Sequence, residues 1–265
     1  MKPSSKNEIL ELLSMPYGEF ETAVFPEAKR AYIESRGNVL VSCAMLGISN
    51  ICKNQCLYCG MRAGSKVERY RLPVQDVLAS AKAAKEMGFS RMFVISGEDP
   101  KYGFENILEI ISGVKALGMH LSLACGEFFP EQYAEFAALG VDEYVIKFEM
   151  SDPATFNRLN PSTSFERRMR SIEAVKKSGM KLASGNIVDY PGHTLSQLAD
   201  DILLMRDLEI SWAPIIPYMP AKGTPLALEG GYGDFTLNLR EIAILRLMMP
   251  EINITAQQPG KDLSK

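Results

Sequence analysis

Short apolar runs alternate with helix-period stretches from residue 38 onward. The stretches with helical spacing span about 74–87, 104–117, 130–139, 164–178, 195–208 and 236–248. Seven apolar runs accompany them, at residues 39–49, 91–98, 119–127, 143–151, 181–190, 211–220 and 252–258. Several runs are apolar over most of their length, as is typical of strands in a parallel sheet that is covered on both faces. Three helical stretches end in glycine directly before the next apolar run, which marks a helix end.

This alternation predicts an α/β fold built from repeated strand–helix units. Six units plus a seventh strand are fewer than the eight of a closed barrel. We therefore expect an open, partial TIM-type (β/α) barrel over residues 38–265. Residues 1–37 contain "NEILELLS" (7–14), which has helical apolar spacing, and they are predicted to form an N-terminal helical extension.

Composition and charge narrow the possible environments and partners. The formal net charge is −3 and no basic run stands out, so nucleic acid and anionic membranes are disfavoured as partners. No apolar stretch approaches the length of a membrane span, and "MKPSSKNEILELL" lacks the apolar centre of a signal peptide. Five cysteines, an odd number concentrated at one place, argue against a secreted disulfide framework. The sequence predicts a cytoplasmic protein in a reducing environment.

Three of the five cysteines lie within eight positions, in "NICKNQCLYCGMR" (50–62). Cys52, Cys56 and Cys59 follow the first predicted strand, at the end of a barrel strand where active sites form. Thiolates are the usual ligands of zinc and of iron–sulfur clusters. A structural zinc ion needs a fourth Cys or His, and no remaining Cys or His repeats a ligand spacing. The incomplete set favours a cluster with one open iron over zinc or over incidental cysteines.

The pattern C-x3-C-x2-C, with Tyr58 before the last cysteine, resembles the radical S-adenosylmethionine (SAM) superfamily. Further motifs extend the resemblance through nearly the whole chain: "SGEDP" (96–100), "RLNPSTSFERRMRS" (158–171), "YPGHT" (190–194) and "MPAKGTPL" (219–226). Together they are similar to the branch that contains the [FeFe]-hydrogenase maturase HydE, methylornithine synthase (PylB) and biotin synthase, with HydE nearest.

This resemblance implies two cofactors and a reaction. Cys52, Cys56 and Cys59 would hold a [4Fe–4S] cluster whose fourth iron binds SAM. One electron, from a donor of flavodoxin or ferredoxin type, would then cleave SAM to methionine and a 5′-deoxyadenosyl radical that acts on a small-molecule substrate. For a HydE-type enzyme that substrate is an organometallic iron precursor of the hydrogenase active site.

The resemblance also assigns SAM contacts. Gly97 and Glu98 match the motif that receives the methionine ammonium, and Arg168 matches the arginine that pairs with the SAM carboxylate. Glu149 matches the residue that hydrogen-bonds the ribose. The alternatives are a solvated turn for Glu98 and an exposed helix start for Arg168. The remaining predicted SAM contacts are Tyr58, Ser122, Ile187 and Tyr218, and packing roles are the alternatives for Tyr58, Ile187 and Tyr218.

Three residues are predicted to contact substrate. Asp99 matches an acid of methylornithine synthase that contacts the substrate amino group, with helix capping as the alternative. Lys147, two residues from Glu149 on an extended strand, either faces substrate or forms an ion pair with Glu149. Asp189 replaces a glycine of the relatives at the mouth of the fifth strand.

Other departures bear on the substrate. Pro214, Gln257 and Pro259 stand where methylornithine synthase carries a charged substrate clamp, and Ala124 replaces a serine of HydE. Cys43 and Cys125 do not complete the second cluster that biotin synthase uses for sulfur insertion. Relatives continue beyond the seventh strand, which implies either a truncated chain or a differently enclosed substrate. The alternatives to HydE-type chemistry are a related radical enzyme on an amino-acid-type substrate and a non-catalytic iron–sulfur or zinc protein.

Overall fold

Helices and strands follow the apolar pattern closely in the computed structural model, which describes residues 2–255. The helices are α1 (Lys6–Ser14), α2 (Tyr17–Ala23), α3 (Phe25–Arg36), α4 (Val74–Glu86), α5 (Phe104–Ala116), α6 (Pro130–Ala138), α7 (Pro153–Leu159), α8 (Phe165–Lys177), α9 (Leu195–Asp207) and α10 (Phe235–Met248). The strands are β1 (Ala44–Ser49), β2 (Arg91–Ser96), β3 (His120–Ala124), β4 (Glu143–Val145), β5 (Lys181–Ala183), β6 (Ile187–Val188), β7 (Trp212–Ala213), β8 (Ile216–Pro217) and β9 (Asn253–Ile254). Each of the six helices predicted after residue 38 is present within one or two residues of its predicted ends.

The described residues fall into two compact units. The cysteine-loop unit consists of Val41–Ile146 and Asn157–Leu182, and the terminal unit takes the described parts of Met1–Leu40, Lys147–Phe156 and Ala183–Lys265. In the cysteine-loop unit, β1 pairs with β2, β2 with β3 and β3 with β4, all in parallel. The backbone N–H of Lys181 in β5 donates to the Asp142 carbonyl beside β4.

Parallel pairing continues in the terminal unit. Ala183, the last residue of β5, pairs with β7, and β7 pairs with β9. Strands β6 and β8 form a separate parallel pair. Helices α1, α3 and α10 pack together here, with Ile9, Phe20 and Ala28 buried.

The predicted strands at 181–190 and 211–220 are each broken in two. Pro214 separates β7 from β8 and has no N–H to give to a ladder. Opposite it, Gly185 separates β5 from β6, and an added Cβ there would lie 2.9 Å from the Ile215 side chain. The close approach of these two segments interrupts both strands. Leu40 in the predicted run 39–49 is 87% exposed, and β1 begins only at Ala44.

A buried polar cluster occupies the core of the terminal unit. Asp201 accepts the Ser151 backbone N–H at 2.7 Å and the Asn186 amide at 2.9 Å. Glu241 on α10 is fully buried and accepts the Asn238 amide at 3.2 Å. Burial, and then the nearby charge of Asp201, raise the pKa of Glu241 to about 8. Glu241 is therefore held as a neutral carboxylic acid at neutral pH.

This buried acid predicts a pH dependence of stability. Between pH 4.5 and about 8 the unfolded Glu241 is ionised while the folded one keeps its proton. Unfolding then releases a proton, so this group lowers the free energy of unfolding by about 1.4 kcal/mol per pH unit as the pH rises. Urea unfolding between about pH 5.5 and 7.5 should show this slope reduced in Glu241→Gln. The exposed control Glu21→Gln should keep the wild-type slope, and an equal slope in Glu241→Gln would contradict the assignment.

Candidate active site

The cysteine segment leaves the end of β1 and forms a compact loop. Cys52, Cys56 and Cys59 are all half-buried, and none of the five cysteines, which all lie in the described part of the chain, forms a disulfide. The Cys59 N–H donates to the Cys56 carbonyl at 3.4 Å, and the Arg62 N–H donates to the Cys59 carbonyl at 3.2 Å. These turns present three thiols from one short loop at the carboxyl end of a parallel strand, where barrel active sites form.

Arg69 holds the cysteine loop at both ends. Its guanidinium donates to the backbone carbonyls of Asn50, Met61, Arg62 and Ser65. A guanidinium offers five donors in a fixed fork, which suits several carbonyls at once. Arg69 could not be predicted from the sequence, because an arginine in the polar stretch "KVERYR" gives no signal that its side chain turns back onto the loop.

The loop is also joined to the segment after β2. The Lys53 N–H donates to the Glu98 carbonyl at 2.9 Å, and Lys53 Nζ lies 2.6 Å from Glu98 Oε1. The Asn54 amide donates to Glu98 Oε2 at 2.9 Å. Gly97 lies directly against the loop, since a Cβ there would be 2.2 Å from the Ile51 carbonyl oxygen and 2.9 Å from Cys52 Cβ. The predicted motif residues Gly97 and Glu98 therefore lie beside the cysteines, and Glu98 is not a solvated turn acid.

Asp99, whose side chain is buried, forms an ion pair with the exposed Arg71. Its carboxylate accepts two hydrogen bonds from Arg71, at 2.6 and 2.8 Å, and one from the Ser49 hydroxyl at 2.9 Å. Burial alone would raise the pKa of Asp99, but the bonds from Arg71 and Ser49 outweigh it and lower the pKa below its ordinary value. The helix cap of α5 is Gly103 and not Asp99. A substrate role for Asp99 stays a prediction, and its contacts in the structure tie β1 to the β2 loop.

A second segment, residues 159–162, supports the middle of the cysteine loop. The Leu57 N–H donates to the Leu159 carbonyl at 2.8 Å, and the Gln55 N–H donates to the Ser162 hydroxyl at 2.8 Å. The Tyr58 hydroxyl donates to Asn160 Oδ1 at 2.7 Å. The "RLNPS" part of the motif therefore supports the cysteine loop through three hydrogen bonds. One of them comes from the Tyr58 hydroxyl.

Arg168 lies on the first turn of α8, where Ser164 caps the helix. Arg168 Nε donates to Glu127 Oε1 at 2.8 Å, and Arg167 Nε donates to Glu127 Oε2 at 2.9 Å. The Glu127 side chain is only 3% exposed and that of Arg168 only 11%. The exposed-helix alternative for Arg168 is therefore wrong. Glu127 was not among the predicted site residues, although its position shortly after β3, in "CGEFF", is a usable signal.

Ser122 lies within β3, and its hydroxyl donates to the Glu143 carboxylate at 2.8 Å in a buried contact. This contact gives each of the two buried side chains a hydrogen-bond partner, as buried polar groups require. Ala124 is the last residue of β3. The SAM contact predicted for Ser122 remains a prediction.

The terminal unit brings a second set of predicted residues together. Lys147 Nζ lies 3.0 Å from Glu149 Oε2, so the predicted ion pair is present. Glu149 has a left-handed backbone (φ 63°), which is uncommon for a residue with a side chain and often marks a functional site. Two backbone hydrogen bonds fix this conformation, from Glu149 N–H to the Gly185 carbonyl and from Ile187 N–H to the Glu149 carbonyl.

The other predicted residues of this unit lie along β6 and β8. Ile187 is buried in β6, and Tyr218 is buried directly after β8, where its N–H donates to the Val188 carbonyl. Asp189 also has a left-handed backbone (φ 56°), and its carboxylate accepts the Asp234 N–H at the start of α10. Pro214 lies between β7 and β8, whereas the predictions for Gln257 and Pro259 fall outside the described residues.

The cysteine loop fits an iron–sulfur cluster by its donor chemistry. It offers three half-buried thiols. Arg69 hydrogen-bonds the loop backbone, and Gly97 packs so closely against it that no side chain would fit there. A cluster takes one thiolate per iron, so its cysteines need not converge on one point. Across residues 2–255, no group of three or more His, Cys, Asp or Glu side chains is placed to hold a single metal ion.

A family model described as the radical SAM superfamily matches residues 46–205, more than half of the chain. The chain belongs to the radical SAM superfamily. It is 33% identical over 95% of its length to the [FeFe] hydrogenase maturase subunit HydE of Thermotoga maritima, covering 72% of that protein. It is 25% identical to 3-methylornithine synthase of Methanosarcina acetivorans, with 95% of this chain and 72% of the relative covered. Biotin synthase of Idiomarina loihiensis is 28% identical, with 97% and 75% covered.

Solved structures agree on the fold. The crystal structure of methylornithine synthase (PylB) superposes with a TM-score of 0.87 at 24% identity, covering 94% of this chain and 74% of that one. The hydrogenase maturase HydG gives a TM-score of 0.86 at 19% identity, covering 98% and 61%. The predicted open (β/α) barrel of radical SAM enzymes is confirmed. Within the described residues, no helix is both long and apolar enough to cross a bilayer.

As a radical SAM enzyme, the chain uses a [4Fe–4S] cluster and SAM. Cys52, Cys56 and Cys59 would hold the cluster, which supplies the electron that cleaves SAM to a 5′-deoxyadenosyl radical when both are bound. The side chains of this unit prepare the site: the loop backbone is fixed by Arg69, and Glu98 and Arg168 are charged groups of opposite sign held in place by neighbours.

Proposed function

We propose that this enzyme is a HydE-type maturase, which directs a 5′-deoxyadenosyl radical to a small molecule in the assembly of an [FeFe]-hydrogenase cofactor. The observation that carries the proposal is 33% identity to a HydE subunit over 95% of the chain. Pro214, which lies between β7 and β8, supports it indirectly. A proline offers no charge to grip an amino-acid substrate, so methylornithine-type chemistry is disfavoured.

Within this proposal, the two charged groups beside the cysteine loop bind the amino-acid part of SAM. Glu98 receives the ammonium, because its carboxylate is nearly buried and lies against the loop. Arg168 receives the carboxylate. Glu127 accepts a hydrogen bond from Arg168 Nε, and this charge-assisted contact fixes the orientation of the guanidinium plane.

The test is a maturation assay with the reconstituted enzyme. Anaerobic protein with iron and sulfide is given dithionite and SAM, and 5′-deoxyadenosine is quantified. The same preparation is then added to a cell-free hydrogenase maturation system that lacks its own HydE. Restored hydrogenase activity is the expected result. Deoxyadenosine formation that depends on an added amino acid, with no restored hydrogenase, would instead assign the enzyme to an amino-acid substrate.

Replacement of Arg168 tests the SAM carboxylate contact. Arg168→Ala should weaken SAM binding by about 1–3 kcal/mol, the range for a charge-assisted hydrogen bond. Glu127→Gln should weaken it less, because the arginine remains but loses its orienting carboxylate. The affinity is measured by isothermal titration of SAM into the oxidised, cluster-loaded protein, which lacks the electron that cleaves SAM.

Arg170, two residues along the same helix, provides the control for this experiment. It pairs with the exposed Glu166, and such surface pairs contribute about 0–1 kcal/mol. Arg170→Ala should therefore leave SAM affinity unchanged. Equal affinities for wild type and Arg168→Ala would show that Arg168 does not bind the SAM carboxylate.

A further inference from the structure

We propose that Glu241 on α10 is a positioning residue, whose neutral carboxyl group holds the Glu149 segment in the conformation that binds SAM. It acts through a buried polar cluster in the terminal unit, which consists of Asn186, Asp201 and Glu241. All three residues are at most 1% exposed. The proposal concerns the terminal unit alone and rests on the SAM contact that the family resemblance assigns to Glu149. The identity of the substrate does not enter it.

Asp201 joins the two chain segments that surround Glu149. Its carboxylate accepts the Ser151 backbone N–H at 2.7 Å and the Asn186 side-chain amide at 2.9 Å. Ser151 lies two residues after Glu149 in the chain. The peptide groups on either side of Asn186 make two hydrogen bonds to the Glu149 backbone. A residue with a side chain keeps a left-handed backbone (φ 63° here) only where its surroundings impose it, and Asp201 and Asn186 supply those surroundings.

The strongest charges that act on Glu241 are the negative charge of Asp201 on α9 and the positive charge of Lys147. Burial, and then the charge of Asp201, raise the pKa of Glu241 to about 8. The Asn186 amide, which donates to Asp201, also interacts with the Glu241 carboxyl and opposes this rise. Asp201 itself also faces His193, whose Nε2 lies 3.5 Å from the carboxylate. Two acids therefore share one amide inside the terminal unit.

The protonation state of Glu241 decides which acid holds that amide. As a neutral acid, Glu241 leaves the Asn186 amide to Asp201, as the structure shows. An ionised Glu241 would place a second negative charge near Asp201 and would compete for the same amide. Among the described residues, none gives a hydrogen bond to Glu241 Oε1, so a buried charge there would be poorly compensated. We therefore expect the Glu149 segment to be held firmly below about pH 8 and to loosen above it.

The pH profile of SAM affinity in Glu241→Gln tests the proposal, because glutamine keeps the shape of the neutral acid and cannot ionise. SAM is titrated calorimetrically into the oxidised, cluster-loaded protein between about pH 6.5 and 9.5. The two proteins should bind SAM within about twofold of each other at about pH 7, and the wild type should lose about tenfold more affinity than Glu241→Gln by about pH 9.5. The amino group of SAM titrates in the same range, but equally with both proteins. The exposed control Glu21→Gln should keep the wild-type profile.

Hydrogen exchange of the protein without SAM reads the positioning directly. The backbone amides of Glu149 and Ile187 should exchange faster in the wild type than in Glu241→Gln at about pH 9, and equally at about pH 7. Comparison at one pH removes the intrinsic effect of base on exchange. In an Asn186→Ala background, replacing Glu241 by glutamine should no longer change the SAM profile, since the route through the amide is gone.

Several results would overturn the proposal. Parallel SAM profiles of the wild type and Glu241→Gln would do so, and so would equal exchange at about pH 9. A difference in exchange without one in affinity would show that the Glu149 segment does not serve SAM binding. A SAM profile that still responds to Glu241→Gln in the Asn186→Ala background would show that Glu241 does not act through Asn186. None of these measurements involves hydrogenase, so failure here is distinct from failure of the proposed maturase function.

Discussion

Cys56→Ser is expected to abolish cluster binding and SAM cleavage and to leave the fold largely intact. A serine hydroxyl is not a thiolate, and removing one of three ligands leaves two irons of the cluster without a protein donor. The fold should persist because Cys56 is only half-buried, and the loop is tied independently by Arg69, by Leu57 to Leu159 and by Lys53 to Glu98. Iron and sulfide content, low-temperature EPR with and without SAM, and 5′-deoxyadenosine give the result.

Cys43→Ser is the matched control, because Cys43 is exposed and precedes β1 rather than following it. It should retain the wild-type iron content and the wild-type yield of deoxyadenosine. Circular dichroism of both variants checks that neither has unfolded. A Cys56→Ser protein that keeps a reduced cluster with an EPR signal that shifts on SAM addition would remove Cys56 from the ligand set.

The helices were predictable from the sequence because each signals its own ends. In α9, for example, Thr194 and Gln197 form a capping box and the apolar residues Leu198, Ile202 and Met205 recur at helical spacing. The cysteine loop was predictable for a different reason, since three thiols at a fixed spacing are rare and point to one kind of chemistry.

Partners distant in sequence were not predictable in the same way. Glu127 and Arg168 are 41 residues apart, and Arg71 and Asp99 are 28 apart. In the sequence, each of these charged residues is indistinguishable from an ordinary surface residue. Its partner is brought close only when the chain folds. The breaks in the fifth and sixth predicted strands have a similar origin, because Gly185 and Ile215 approach each other closely only in the folded chain.

Gly97 and Glu98 of the "SGED" motif also have a structural role in the folded chain. Glu98 holds two loop residues, Lys53 and Asn54, by its backbone and both carboxylate oxygens. Gly97 gives the Ile51–Cys52 backbone the space to lie against the end of β2. The glycine and the glutamate of "SGED" therefore fix the start of the cysteine loop, in addition to any contact with SAM.

Gly97→Ala is expected to displace the cysteine loop and to lower cluster occupancy sharply. An added Cβ would lie 2.2 Å from the Ile51 carbonyl oxygen and 2.8 Å from its carbon. Ordinary contacts are about 3.5–4.0 Å, so the backbone would have to move by about 1 Å. Both obstructing atoms belong to the backbone, which cannot rotate aside as a flexible side chain can. We expect a loss of about 1–3 kcal/mol in the free energy of unfolding, the usual cost of overpacking.

Gly18→Ala separates this steric effect from the general consequences of replacing glycine. Gly18 lies in α2, and an added Cβ there meets nothing within 4 Å. The same substitution should leave stability unchanged or raise it by about 0.5–1 kcal/mol, because alanine favours helix. Iron content after reconstitution and urea unfolding of both proteins provide the comparison. If Gly97→Ala bound iron as well as Gly18→Ala, the loop could move without losing its ligands, and the contact with Gly97 would not be what sets the position of Cys52. If only Gly97→Ala loses iron, the close packing of β2 against the loop is itself a requirement for cluster assembly.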